Sequence, residues 1–306
     1  MTTHTPSRCA FSSMSFAPTG GAHIVLLDSG SYPFYSNYLN QTWTFSGTDW
    51  SNTNATGPTP TRIDAVMAYD GINVMLYGGR EASSQIGALG DTWTWDGTVW
   101  TKQSPVTSPF PRFKAEAAYI SGASGTFMFG GQSIGTYATL LNETWEWNGT
   151  TWSQVVVANG AGPSARIGHA MAASASTAVM FGGKGDNAQF NDTWSFNGTT
   201  WSQLAPTASP SVRSDAVMSY DSTNSLWVLF GGSNEYNYLS ETWTFNGTTW
   251  TQRSIGAGPT GRVGAVMGFD TTTHKTIMFG GVSATNGYPS NHTWSFDGST
   301  FIWTLP

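Results

Sequence analysis

The chain has little charge and almost no sulfur chemistry: Asp, Glu, Lys and Arg make up 10% of its 306 residues, and Cys9 is its one cysteine. A lone cysteine excludes an internal disulfide and any cysteine-built zinc or iron–sulfur centre, so stability must come from packing. Cys9, beside Arg8 at the start of an expected inner strand, reads as a small buried apolar group rather than a reactive thiol. A formal charge of −6 argues against a non-specific nucleic-acid binder, whose affinity rests on neutralising phosphates. No apolar run approaches the ~20 residues that cross a bilayer, so no membrane span is expected. The polar start MTTHTPSR does not read as a signal peptide. Scarce lysine beside abundant Thr, Ser, Asn and Trp gives the balance expected of an exported bacterial protein, with a cytoplasmic location as the alternative. No His-x-x-x-His or Glu-x-x-His pair occurs, and neither a metal nor a cofactor is expected.

Aromatics, by contrast, reach 14%, with 15 Trp and 36 Gly, the balance of a β-rich, turn-rich protein. The tryptophans repeat. Thr-Trp recurs at Trp43, Trp93, Trp145, Trp194, Trp243 and Trp294, about 50 residues apart. A second aromatic follows each: Trp50, Trp100, Trp152, Trp201, Trp250 and, in the last copy, Phe301. Between them stands Asn-Gly, Asp-Gly or Ser-Gly, which predicts a hairpin closed by a type I′ turn. Upstream lies an apolar run closed by Gly-Gly, as in NVMLYGG and TAVMFGG, degenerate in the first copy as HIVLLDSG. Further upstream an Arg-led segment of small residues, such as RIDAVMAYD, suits a strand crowded near an axis. Four antiparallel strands per copy cannot bury both faces alone. The sheets must therefore stack in a ring, which predicts an all-β, six-bladed propeller in one domain, with blades over about 8–53, 54–104, 105–157, 158–205, 206–254 and 255–306.

Gly-Gly closing the second strand, a variable loop and the aromatic hairpin together resemble the kelch repeat, over nearly the whole chain. That resemblance implies fold far more than function, because kelch propellers include protein-binding modules, sugar-active enzymes and adhesion domains. Two enzyme types are set aside. Copper oxidases with kelch-like propellers carry a Tyr–Cys crosslink and metal-binding histidines, and plant specifier proteins an iron-binding Glu-x-x-x-Asp-x-x-x-His loop; neither pattern is here. Sialic-acid mutarotases resemble the chain in blade type and keep cofactor-independent acid–base chemistry, of isomerase or lyase type, in play.

Long segments follow each Gly-Gly and share one face, whereas the turns opposite are tight, so ligands are expected on the long-loop face. That face should carry Tyr32, Phe34, Tyr35, Tyr38, Tyr137, Phe190, Tyr236, Tyr238 and Tyr288, rings suited to stacking on sugars or anchoring peptides. Arg80 opens one of its loops. Arg8, Arg62, Arg112, Arg166, Arg213 and Arg262 head the six inner strands. Two arrangements fit them: a cationic ring for anionic ligands, or internal pairing with Asp91, Glu143, Asp192 and Glu241, which precede Thr-Trp. Gln41 and His292 replace the acid in the first and last copies, which would leave Arg8 or Arg262 for a ligand. The catalytic candidates are His169 with Asp64, Asp215 or Glu116. The expected partner is thus a small polar or anionic ligand, a glycan or a peptide, bound by a module, with a sugar-active enzyme or a purely structural propeller as the alternatives.

Overall fold

The computed structural model describes residues 5–16, 24–30, 38–81, 87–135, 137–157, 161–254, 256 and 258–305. They form a six-bladed β-propeller of four-stranded antiparallel sheets, each strand paired with its neighbour in the chain. The first blade runs Ser13–Phe16, Ile24–Gly30, Tyr38–Phe45 and Trp50–Thr56. The innermost strands of the other five are Val66–Tyr69, Glu116–Ile120, Ala170–Ala173, Val217–Asp221 and Arg262–Asp270. Each innermost strand packs on the next, and that of the sixth blade packs on that of the first, so the ring closes between whole blades.

Burial follows distance from the axis. The second strands Val74–Tyr77, Gly125–Phe129 and Ala178–Phe181 are buried at every position because a blade covers each face. The fourth strands are outermost: Trp201 is buried while Ser202 and Gln203 are exposed. Each fourth-strand tryptophan wedges between its own blade and the one before. Trp250, for instance, lies 4.9 Å from the Phe245 ring and 5.2 Å from that of Phe181. At about 150–250 Å² of area per tryptophan, such burial contributes about 4–6 kcal/mol before ordering costs.

The Gly-Gly pairs have a steric reason. A Cβ on Gly78, Gly130, Gly182, Gly231 or Gly280 would lie 2.3 to 2.8 Å from the backbone carbonyl oxygen of Arg112, Arg166, Arg213, Arg262 or Cys9 in the next blade. The first copy, with Asp28-Ser29-Gly30, instead carries a register shift between Asp28 and Gly30.

Three sequence expectations need correction. The aromatic hairpins do not close on type I′ turns; in the first five blades they are four-residue loops in which only the glycine has positive φ, 93° at Gly149. The Asn148 side chain caps that loop by accepting from the backbone N–H groups of Thr150 and Thr151 at 3.0 and 2.9 Å. In the last blade Trp303, not Phe301, pairs with Phe296, because the hairpin runs one pair further, Asp297 with Ile302, before a four-residue loop in which Phe301 sits at φ 59°. In the first blade Cys9 holds the ring position of the arginines: its carbonyl accepts from Gly281 as that of Arg262 accepts from Gly232. Arg8 lies one residue earlier and is exposed.

Candidate functional site

Arg62, Arg112, Arg166 and Arg213 are each 1% exposed and internally paired. Arg166 shows the pattern. It donates to the Gly182 carbonyl at 2.8 Å and grips both oxygens of Asp192 at 2.6 and 2.9 Å. Asp192 also accepts from the Trp194 indole at 2.7 Å. Glu143 and Glu241 each bridge their arginine and tryptophan in the same way. Burial alone would raise these two carboxyls, but hydrogen bonds from Arg112 or Arg213 and from tryptophan outweigh it and hold both below the usual range. Internal pairing, the second of the two arrangements the sequence allowed, is therefore the one these four arginines adopt.

The sixth blade departs from the pattern. Arg262, 3% exposed, donates to the Gly280 and Thr260 carbonyls at 2.9 and 3.1 Å but meets no carboxylate among the described residues. Trp294 Nε1 is likewise buried without an acceptor, because His292 stands where the acid would be. Uncompensated burial pushes the Arg262 guanidinium down to about 10. In the first blade Cys9 and Gln41 replace both partners, so no charge is stranded there.

Two residues beyond each ring position, a belt surrounds the axis. Phe11, Asp64, Lys114, Gly168, Asp215 and Gly264 all have φ between 53° and 63°. The backbone N–H groups of Phe11, Asp64, Lys114 and Asp215 each donate to the belt carbonyl of the preceding blade, at 2.7 to 3.0 Å. This belt brings the charged candidates together at the long-loop mouth of the axial channel. Arg80 donates through Nε and Nη2 to Asp64 Oδ2 at 3.1 and 2.6 Å and covers the Phe113 ring. Lys114 of the third blade reaches Asp215 of the fifth at 2.8 Å, and its ammonium sits 5.3 Å from the centre of the Phe11 ring. Gly168 of the fourth blade leaves that span open, since a Cβ there would meet the Asp215 carboxylate at 2.9 Å. Burial would lower the Lys114 ammonium, but Asp215 and Asp64 outweigh it, so its net shift is upward and it stays cationic.

His169 lies outside this cluster's hydrogen bonds. It is 1% exposed, packs edge-on against Phe129, and finds no partner for either ring nitrogen. Burial, with Arg166 nearby, lowers it to about 3. The sequence paired His169 with Asp64, Asp215 or Glu116, and none of those contacts forms. Phe190 lies against the Arg166 guanidinium at 4.2 Å. Tyr137 and Tyr236 are the most exposed of the loop tyrosines, with Tyr238 and Tyr288 half-exposed. Tyr32, Phe34 and Tyr35 lie outside the described residues, as does the side chain of Tyr38.

Sequence reasoning missed the other end of the channel. Below the belt the axial space is narrow, cavities of about 80 and 110 Å³, and it then widens to about 640 Å³ on the face opposite the long loops. Glu116 lines all three cavities, and its carboxyl has no hydrogen-bond or ion-pair partner among the described residues. The residue is half-buried in the channel wall, and burial, reinforced by Asp215, raises its carboxyl to about 8. Around the wide end stand Phe16, Tyr69, Tyr119, Tyr220 and Phe269, one repeat position in five blades, with Ala173 in the fourth. The signal was readable as the aromatic in fourth place in SMSF, VMAY, EAAYI and VMSYD.

Comparison with known proteins agrees with this architecture. A family model for the KLHDC2/KLHL20/DRC7 Kelch-repeats domain matches residues 25–219 and 99–252. The solved structure of YjhT superposes with a TM-score of 0.74 at 14% identity, covering 99% of this chain and 98% of its own, a likeness of fold alone. No curated protein matches the chain.

Proposed function

The chain belongs to the kelch-repeat family, whose propellers commonly mediate binding, and from that premise we propose that it holds a small polar ligand, a glycan or the acidic end of a peptide, at the long-loop mouth of its axial channel. The observation that carries this reading is the Lys114–Asp215 bridge, which brings side chains from the third and fifth blades together over the axis. Beside it Asp64 and Arg80 add an acceptor and a donor set, so hydroxyls and carboxylates both find complements. The pairs hold the site in place before ligand arrives, and exposed Tyr236 and Tyr137 offer rings to a sugar or peptide around it. The acid–base alternative has less support, because His169 lacks the carboxylate neighbours that would make it a general base at neutral pH.

Thermal-shift screening against neutral and acidic glycans, acidic peptides and phosphorylated metabolites tests the proposal, since a ligand of the folded state raises stability by mass action. A hit should lose about tenfold or more in affinity in Lys114→Met and in Asp64→Asn. Hits indifferent to both substitutions would place the ligand elsewhere and sink this reading.

A further inference from the structure

The funnel on the opposite face has a composition unlike the long-loop mouth. Its rim is aromatic, with Tyr69 edge-on to Phe16 at 6.3 Å and to Tyr119 at 5.6 Å. Below the rim runs a collar of methionines from five blades, soft side chains that adapt to an apolar guest, with Ala117 in the third blade making the gap. At the floor is Glu116, the one residue bearing a formal charge among those lining this cavity. The fold does not need an acid there: Val66, Val217 and Val266 hold the same position in three other blades, and Ser13 and Ala170 in the remaining two.

We propose that this funnel binds an amphipathic organic cation, its apolar body against the aromatic rim and methionine collar and its ammonium on the Glu116 carboxylate. A cation supplies the partner that the carboxyl lacks, and aromatic faces attract it on the way in. Length is set by the strand: Glu116 and Tyr119 stand three positions apart, so roughly 10 Å lies between floor and rim, the span of an arylalkyl ammonium. This site is distinct from the long-loop mouth, and neither reading depends on the other.

The charge state of the floor makes the site pH-sensitive. Asp215, Asp64 and Lys114 above it and neutral His169 beside it set the field, and with Glu116 raised to about 8 the bound cation competes with a proton. A quaternary ammonium has no proton of its own to lose, so its pH dependence reports the protein alone.

Isothermal titration calorimetry with benzyltrimethylammonium, and with benzyl alcohol as the uncharged control, tests this. Expected is saturable one-to-one binding that weakens about tenfold from pH 9 to pH 7 and is lost by about tenfold at pH 9 in Glu116→Gln, with the pH dependence gone. Tyr220→Ala, at the rim and away from the carboxyl, should weaken binding while keeping the pH dependence. The proposal is overturned if benzyltrimethylammonium does not saturate, if benzyl alcohol binds as tightly, or if Glu116→Gln binds like the parent protein.

Discussion

Trp50, on the outermost strand of the first blade, donates its indole N–H to the Thr293 hydroxyl of the sixth blade at 2.8 Å. Trp100 does the same to Thr42, Trp152 to Thr92, Trp201 to Thr144, Trp250 to Thr193 and Trp303 to Thr242, at 2.7 to 2.9 Å. The contact that closes the ring is therefore of the same kind and length as those along it, although its partners lie 243 residues apart.

Replacing Thr293 by valine should leave the Trp50 indole buried without an acceptor, at a cost of about 1–3 kcal/mol. Thr144→Val, inside the ring, should cost the same to within about 1 kcal/mol. Urea unfolding of both variants decides it; a much cheaper loss at Thr293 would mean that the seam is looser than the geometry indicates.

The two halves of the arginine pattern predict opposite signs. Asp192→Ala strands the buried Arg166 charge and should destabilise by about 3–5 kcal/mol. His292→Asp does the reverse, restoring to Arg262 and Trp294 the acceptor that other blades possess. It should raise the melting temperature by roughly 2–4 °C. A fall in melting temperature for His292→Asp would show that the sixth blade has repacked around histidine.

His169 and Glu116 tilt the pH dependence of stability in opposite directions. Because the folded chain takes up the His169 proton only near pH 3, against 6.5 when unfolded, the stability this residue contributes is present above pH 6.5 and is lost as pH falls toward 3. Alanine occupies the position in four other blades, as Ala65, Ala115, Ala216 and Ala265, so His169→Ala should fold and flatten the acid limb. Denaturant midpoints from pH 4 to 7 are the check, and an unchanged limb refutes the assignment.

For Glu116 the folded value lies above the unfolded 4.5, so the folded chain keeps a proton that the unfolded chain gives up. Stability should fall as pH rises from 4.5 through about 8. Glu116→Gln removes that slope and should match or exceed the parent in stability at pH 8.5, measured by the same unfolding midpoints. A loss of stability there would mean that the carboxylate has a partner.

The fold was legible because its signals repeat. Thr-Trp, Gly-Gly and the leading arginine each answer to a contact made again in successive blades. Errors arose where one copy departs from the others. By residue type Arg8 fits the ring position, yet a one-residue offset gives that place to Cys9, which suits a seam whose opposing residue is the uncharged Gln41. Spacing alone points to Phe301 rather than Trp303, because it cannot reveal a hairpin extended by one pair. The internal pairing of four arginines was foreseeable from the acids preceding Thr-Trp, but the axial bridge from Lys114 to Asp215 was not. It depends on Gly168 leaving room between two residues 101 positions apart. The aromatic funnel was hidden for another reason: long loops point to one face, whereas a ring of strand ends makes a cavity without any loop.

In the belt around the axis, the amide groups do the joining and the side chains are bystanders to it. Phenylalanine, aspartate, lysine and glycine all occupy its six places on the same left-handed backbone. A sequence can therefore vary what the pore entrance displays while the hoop beneath it stays intact, subject to how well each residue tolerates that conformation. Recognition and architecture are written at these positions in separate alphabets, so swapping Lys114 or Asp64 should alter what is bound long before it alters whether the wheel holds.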